Sequence, residues 1–177
     1  MVVNQIQSKS GDQVVTLNPA RALDERLEGI WELLEQVKDP EIPVLSLREL
    51  GVLRDVELDN GKLIVTITPT YSGCPAMDVM RDDIVSVLNE NGYEQVELKT
   101  VLSPAWTTEW MSVEGKNKLE KFGIAPPSGV AEVNKPERCP RCASVHTSLI
   151  SEYGSTACKA MYQCEDCKEA FCYFKVI

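Results

Sequence analysis

A chain of 177 residues has room for one ordinary domain and a small satellite, and 44% hydrophobic with 25% charged residues is the balance of a globular protein. No run approaches the roughly 18 consecutive apolar residues of a membrane span, and the polar opening, residues 1–18, has no apolar signal-peptide core, so a cytoplasmic protein without membrane association is expected. The formal net charge of −9 argues against a nucleic-acid binder, because phosphate recognition starts from a basic face.

In chain order, residues 1–18 read as a flexible arm. Asn18-Pro19 is a helix cap followed by proline at the first helical position, and Leu23, Leu27, Ile30, Leu34 and Val37 recur at helical spacing, which predicts a helix over 19–37. Glu25, Glu28, Glu32 and Glu35 form its polar, solvated face. Asp39-Pro40-Glu41-Ile42-Pro43 stops that helix, since neither proline can donate a backbone hydrogen bond.

Strands are expected over 52–58 and 62–68, joined by Asp59-Asn60-Gly61, a strong hairpin signal. A loop, Thr68 to Pro75, leads into a second helix over about 75–90 with Ala76, Met80, Ile84 and Leu88 on one face. A third strand covers 95–102. The order α-β-β-α-β gives a two-layer α/β (α+β) sandwich, with two helices on one face of a small mixed sheet, over residues 19–123. A short helix at 112–122 precedes Gly123, and residues 124–137, with three prolines and no apolar period, read as a linker.

Residues 138–177 carry the most specific motif. Cys139-Pro-Arg-Cys142 and Cys164-Glu-Asp-Cys167 stand 21 residues apart, room for one β-hairpin excursion. Two such knuckles facing each other make a tetrahedral four-sulfur site, the pattern of a structural zinc ribbon. Iron in the same site would give a one-electron redox centre, and sequence does not separate the two metals. Strands are expected near 146–153, 159–164 and 169–177. Cys158 is either an alternative ligand or a buried spare thiol, Cys172 a small core residue, and His146, the single histidine, a polar strand residue.

A second constellation lies outside the pairs. Cys74 stands at the predicted start of the second helix, where unpaired N–H groups and the helix dipole would lower its pKa and favour thiolate. Asp39 comes from the end of the first helix and can meet it at one end of the sheet; a thiolate beside a carboxylate makes a small, open metal or cluster site. The alternative is a helix-capping, partly buried thiol. Trp106 and Trp110, spaced i, i+4, are either partner-docking anchors or packing residues for the last segment. With one histidine in the chain, a resident Glu-x-x-His di-iron site is excluded. A thiol enzyme using Cys74 as nucleophile lacks an activating base nearby.

Asp39-Pro-Glu-Ile-Pro43, the hairpin Asp55 to Gly61, Thr68-Pro-Thr-Tyr-Ser-Gly-Cys-Pro-Ala76 and Ser103-Pro-Ala-Trp-Thr-Thr-Glu-Trp-Met111 resemble the small iron–sulfur-assembly domain of SufT-like proteins. With the ribbon and its Gly154-Ser-Thr-Ala-Cys-Lys-Ala160 segment, the chain after about residue 20 is similar to the D-subunit family (also called J) of bacterial phenylacetyl-CoA 1,2-epoxidase systems. The resemblance implies a non-catalytic accessory protein of aerobic phenylacetate degradation that supports maturation of iron–sulfur or di-iron centres. Its implied partners are oxygenase or reductase subunits of that system, and a homodimer sharing a cluster through Cys74 is compatible with it. The resemblance further implies that Cys74 and Asp39 handle iron or a transient cluster, that Cys139, Cys142, Cys164 and Cys167 bind structural zinc, and that Cys158 is a family thiol whose role is unassigned. The alternative reading is a structural or electron-transfer subunit of the oxygenase.

Overall fold

The computed structural model describes residues 19–127 and 135–177; the expected arm at 1–18 and residues 128–134 of the expected linker lie outside the described residues. Helix α1 (Pro19–Leu34) ends three residues before the predicted 37. Two tight turns, Gln36 N–H to Leu33 O at 3.1 Å and Val37 N–H to Leu34 O at 3.2 Å, lead off it, and they bury Val37 while aiming the chain away from the helix axis. The Asp-Pro-Glu-Ile-Pro stretch then does more than stop a helix. Asp39 Oδ1 accepts the N–H groups of Glu41 (2.8 Å) and Ile42 (2.7 Å), a side-chain-closed turn. That turn joins two short antiparallel strands, β1 (Lys38–Asp39) and β2 (Ile42–Ser46). This hairpin was invisible to a period-based reading because β1 has only two residues.

The remaining elements of the first domain follow the sequence closely. Strands β3 (Leu53–Asp59) and β4 (Lys62–Ile67) pair antiparallel, with Asp59 opposite Lys62. Asn60 and Gly61 have φ of 49° and 86°, the left-handed pair that a two-residue hairpin turn requires. Helix α2 (Met77–Glu90) buries Met80, Ile84 and Leu88 and crosses over to β5 (Val96–Thr100), which lies parallel to β4. A parallel neighbour needs such a crossover. The result is the mixed three-stranded sheet β3-β4-β5 with α1 and α2 packed together over it.

The second half is built into the first. After a 3₁₀ turn at Thr108–Trp110, helix α3 (Val113–Phe122) is capped by Ser112, whose Oγ accepts Gly115 N–H at 2.9 Å, and closed by Gly123 at φ 92°. The segment expected to be a linker opens instead as strand β6 (Ile124–Ala125), parallel to β9. Strands β7 (Thr147–Ser151), β8 (Lys159–Cys164) and β9 (Ala170–Phe174) complete a four-stranded sheet in the order β6-β9-β8-β7. Its own small core holds Ala160, Tyr162, Cys164, Phe171 and Tyr173, with Tyr162 and Tyr173 edge to face at 5.8 Å. Phe174, Ile124 and Cys158, however, belong to the buried cluster of the first domain.

Trp106 joins the two halves. It is 3% exposed, its indole N–H donates to Leu50 O at 3.2 Å, and its ring centroid lies 5.9 Å from that of Phe174. Burial leaves it no surface for a partner, so the docking-anchor expectation for Trp106 is replaced by an internal seam. Trp110 is half-buried: its backbone crosses Gly51, where a Cβ would meet Trp110 O at 2.6 Å, and the Arg54 guanidinium sits 3.4 Å over its ring. Trp106→Ala removes a large buried ring and a buried hydrogen bond; denaturant unfolding should show a loss of about 3–5 kcal/mol.

Candidate functional site

Two sites emerge, one at each end of the ribbon. At the outer end Cys139, Cys142, Cys164 and Cys167 bring their four sulfurs within 4.8 Å of one another. Cys139 to Cys167 is 3.8 Å and Cys142 to Cys164 is 3.5 Å. Zinc–sulfur bonds of about 2.3 Å in a tetrahedron place ligand sulfurs about 3.8 Å apart, so the quartet fits a zinc ion. Matching turns make the two knuckles. Ala143 N–H bonds Cys139 O at 2.9 Å and Lys168 N–H bonds Cys164 O at 3.0 Å, and Ala143 and Lys168 take the left-handed φ values 60° and 63°. Backbone N–H groups of Cys167 and Asp166 draw the Cys164 thiol down to about 6, while its hydrogen-bonded neighbour Cys142 is pushed up to about 12, so one thiolate is shared between the two before a metal binds. His146 stays outside, exposed and 3.3 Å from Asp166.

At the inner end the ribbon meets the first domain, and there the charge of Asp39 reaches Cys74. Asp39 is buried in its turn. Cys74 is half-exposed in the turn before α2, not on the helix: α2 starts at Met77, with Ala76 as its cap. Tyr71 O–H donates to Cys74, whose sulfur also receives the Ala76 N–H, and both Asp39 and Cys158 act on it electrostatically. Burial, with Asp39 adding to it, pushes the Cys74 thiol up from its ordinary value against those hydrogen bonds. The expected depression by a helix dipole is thus corrected, because the thiol lies outside the first turn and faces a carboxylate. Burial likewise pushes up Asp39, despite its two N–H donors and Lys159.

Sequence reasoning missed the residues that the ribbon brings to this seam. Along β8, Ala160, Tyr162 and Cys164 fill the ribbon core, so the alternation of a strand turns Lys159 toward the first domain. Lys159 is 4% exposed, its ammonium lies 3.5 Å from Glu41, and Gly154 admits its stem at close range. Ser155 Oγ donates to the same Glu41 at 3.2 Å. Cys158, buried, has Thr156 Oγ1 at 3.1 Å. A signal was present: a lysine on the face of a short strand otherwise walled by buried residues.

The first domain matches the family model described as "Iron-sulfur cluster assembly protein" over residues 27–98, and the second matches "PaaD zinc beta ribbon domain" over residues 125–175, beginning inside β6. The chain is 49% identical to the D-subunit of the "Putative 1,2-phenylacetyl-CoA epoxidase" of Escherichia coli K12, over 84% of this chain and 92% of that protein. It is 36% identical to "Fe-S protein maturation auxiliary factor YitW" of Bacillus subtilis, over 52% of this chain and 91% of that one. The crystal structure of a DUF59 domain of Bacillus anthracis is similar at a TM-score of 0.53 and 31% identity, covering 56% of this chain and 96% of that chain.

Two outcomes are expected of these sites. A strong chelator, stripping a metal whose binding contributes on the order of 10 kcal/mol, should collapse the β7-β8-β9 sheet, seen as lost strand circular dichroism and a red-shifted tryptophan emission as Phe174 leaves Trp106. Asp39, whose folded pKa lies above 3.8, binds protons better folded than unfolded, so its charge costs stability above that window and costs nothing below it. Asp39→Asn should therefore raise the melting temperature at pH 7, with the gain vanishing as pH falls below about 3.8, the unfolded aspartate value.

Proposed function

This chain belongs to the family of 1,2-phenylacetyl-CoA epoxidase D-subunits, and from that premise we propose that it is a non-catalytic maturation factor for the metal centres of such an oxygenase system. In this reading it works in the cytoplasm, binds oxygenase or reductase subunits, and hands on iron or an iron–sulfur cluster through Cys74 and Asp39. The observation that carries the reading is a half-exposed thiol at the seam within the electrostatic reach of a buried carboxylate. A half-exposed thiol can pass a metal to another protein's ligands, whereas the ribbon quartet, with two of its sulfurs' residues buried, suits permanent retention.

Nucleophilic catalysis is disfavoured at the seam. The one histidine is at the far end of the ribbon, and burial disfavours the Cys74 thiolate that a nucleophile requires. Binding a metal ion would instead displace the thiol proton, which couples loading to the arrival of the cargo. Tyr71 steadies the sulfur through its hydroxyl, and Asp39 supplies an oxygen donor fixed by backbone N–H groups. Such a mixed sulfur and oxygen set holds iron less firmly than four thiolates do.

The test is coproduction with the oxygenase and reductase subunits. Cys74→Ala should leave the fold and the ribbon zinc intact while iron in the purified partner complex, and its epoxidase activity, fall about tenfold or more. Full iron content and activity with this variant would refute the proposed role of the thiol.

A further inference from the structure

The ribbon sheet β6-β9-β8-β7 has one bare edge. At its other edge β6 is two residues long and α3 packs against it. Strand β7 pairs with β8, and among the described residues no strand hydrogen-bonds its outer side. Exposed edges are ordinarily guarded by charge or proline against pairing with another chain. The edges of the first-domain sheet follow that rule: β3 carries Arg54, Asp55 and Glu57, and β5 carries Glu97 and Lys99. Thr147-Ser-Leu-Ile-Ser151 has neither charge nor proline. Its guard is a bulge at Ile150, where the pairing with β8 slips between Leu149 and Ser151. A bulge twists an edge, yet this one leaves Leu149 50% and Ile150 55% exposed side by side.

The exposed apolar surface of the chain is concentrated at this edge. Val145, Leu149, Ile150 and Tyr153 are four of the nine large hydrophobic residues exposed among the described residues, and they fall within the short stretch 145–153. Such a run marks an interaction surface, where single exposed hydrophobes would not. Leu149 lies opposite Tyr162 of the ribbon core, and a cleft of about 330 Å³ opens beside them, lined also by Tyr153 and Ala160. The surface is already ordered. Lys175 Nζ sits 4.7 Å over the Tyr153 ring and donates to Glu152 O at 3.2 Å, so little side-chain freedom is left to lose on docking.

Charge and register select the occupant. A chain of net charge −9 repels its own copy over most of its surface, but Thr147–Ser151 is uncharged. Antiparallel pairing of β7 with itself, two-fold about the midpoint of Leu149 and Ile150, sets Leu149 opposite Ile150 and Ser148 opposite Ser151, each twice by symmetry. Thr147 falls opposite Glu152, so no like charges meet across the pair. We propose that two copies of this chain join edge to edge through β7, forming one continuous sheet with four strands from each copy. Main-chain hydrogen bonds supply the affinity, and the Leu149–Ile150 contacts fix the register. Thr147 is opposite Cys164, so the two zinc knots lie at opposite ends of the shared strand pair. Neither Cys74 nor Asp39 belongs to β7, and the pairing does not depend on their role.

The experiment uses the full zinc-loaded chain, with mass measured by sedimentation from about 1 to about 200 µM and amide hydrogen exchange followed at both ends of that range. Wild type should pass from monomer to dimer as concentration rises, with the amides of Thr147–Ser151 gaining protection in step. Ile150→Lys, which installs an edge guard at an exposed position, should weaken association about tenfold or more at unchanged zinc content. Ser148→Lys with Ser151→Lys should separate the copies, while Ser148→Lys with Ser151→Glu, which sets opposite charges across the pair, should keep the dimer. If Ile150→Lys loses its zinc, Leu149→Gln serves in the same measurement, with the same weakening expected. A chain that stays monomeric throughout would overturn the proposal, as would a dimer that the edge variants leave unchanged or that protects a different segment. Protection of β7 that appears only when an oxygenase subunit is added would overturn it too, and would assign the edge to a strand of that partner.

Discussion

Everything distinctive in this molecule depends on the four-sulfur knot at Cys139, Cys142, Cys164 and Cys167. About forty residues cannot bury enough apolar surface to fold by themselves, and the ribbon core amounts to a few aromatic and small side chains. A metal ion ties the knuckles, the knuckles set the register of β8 against β7 and β9, and that register decides which side chains of β8 face inward. Thr147 is opposite Cys164 and Lys159 is opposite Phe174. One end of β8 is thus fixed by the metal and the other delivers Cys158 and Lys159 to the first domain. The metal acts at a distance, by holding a strand.

The seam itself is an electrostatic compromise. Asp39, Glu41, Cys74 and Cys158 are all groups that carry negative charge when ionised, and Lys159 is the buried cation among them. Burial pushes Asp39, Cys74 and Cys158 in the same direction, toward the protonated form. A protein selected for stability alone would fill this position with apolar side chains, which replace buried ion pairs at little or no loss. A costly polar cluster kept where two sheets meet makes the seam a candidate functional site. It also explains why the apolar clamp of Trp106 on Phe174 lies nearby: the seam needs a source of binding energy that the polar groups do not provide.

Much of the fold was legible because it rests on local rules. Asn60-Gly61 dictates its turn through backbone stereochemistry, Met80, Ile84 and Leu88 declare a helix face by period, and paired Cys-x-x-Cys motifs declare a metal. What escaped was set by tertiary context. β1 is too short to show a period. β6 lies in a proline-bearing stretch and exists because β9 offers it an edge. Cys74 read as a helix N-terminal thiol because Pro75 suits a first helical turn, yet the chain makes another turn there and α2 begins at Met77. The sign of its pKa shift followed that misplacement. For the candidate site, Asp39 and Cys74 stood out as a rigid acid and an isolated thiol, but nothing in the spacing of Cys158 tied it to residues so far upstream.

A tryptophan pair four residues apart near the end of a domain reads as a partner-binding motif, and here Trp106 binds a partner of a special kind, the same chain's C-terminal strand. Ile177 O accepts Thr108 N–H at 3.2 Å beside it, so the last residue of the chain and the Trp106 segment close on each other. Association within one chain avoids the rotational and translational entropy that separate proteins lose on binding. It gives the first domain a permanent second sheet at the cost of no diffusional encounter. A ribbon held in this way keeps the Cys158–Lys159 end of β8 docked on the first domain with no separate binding step.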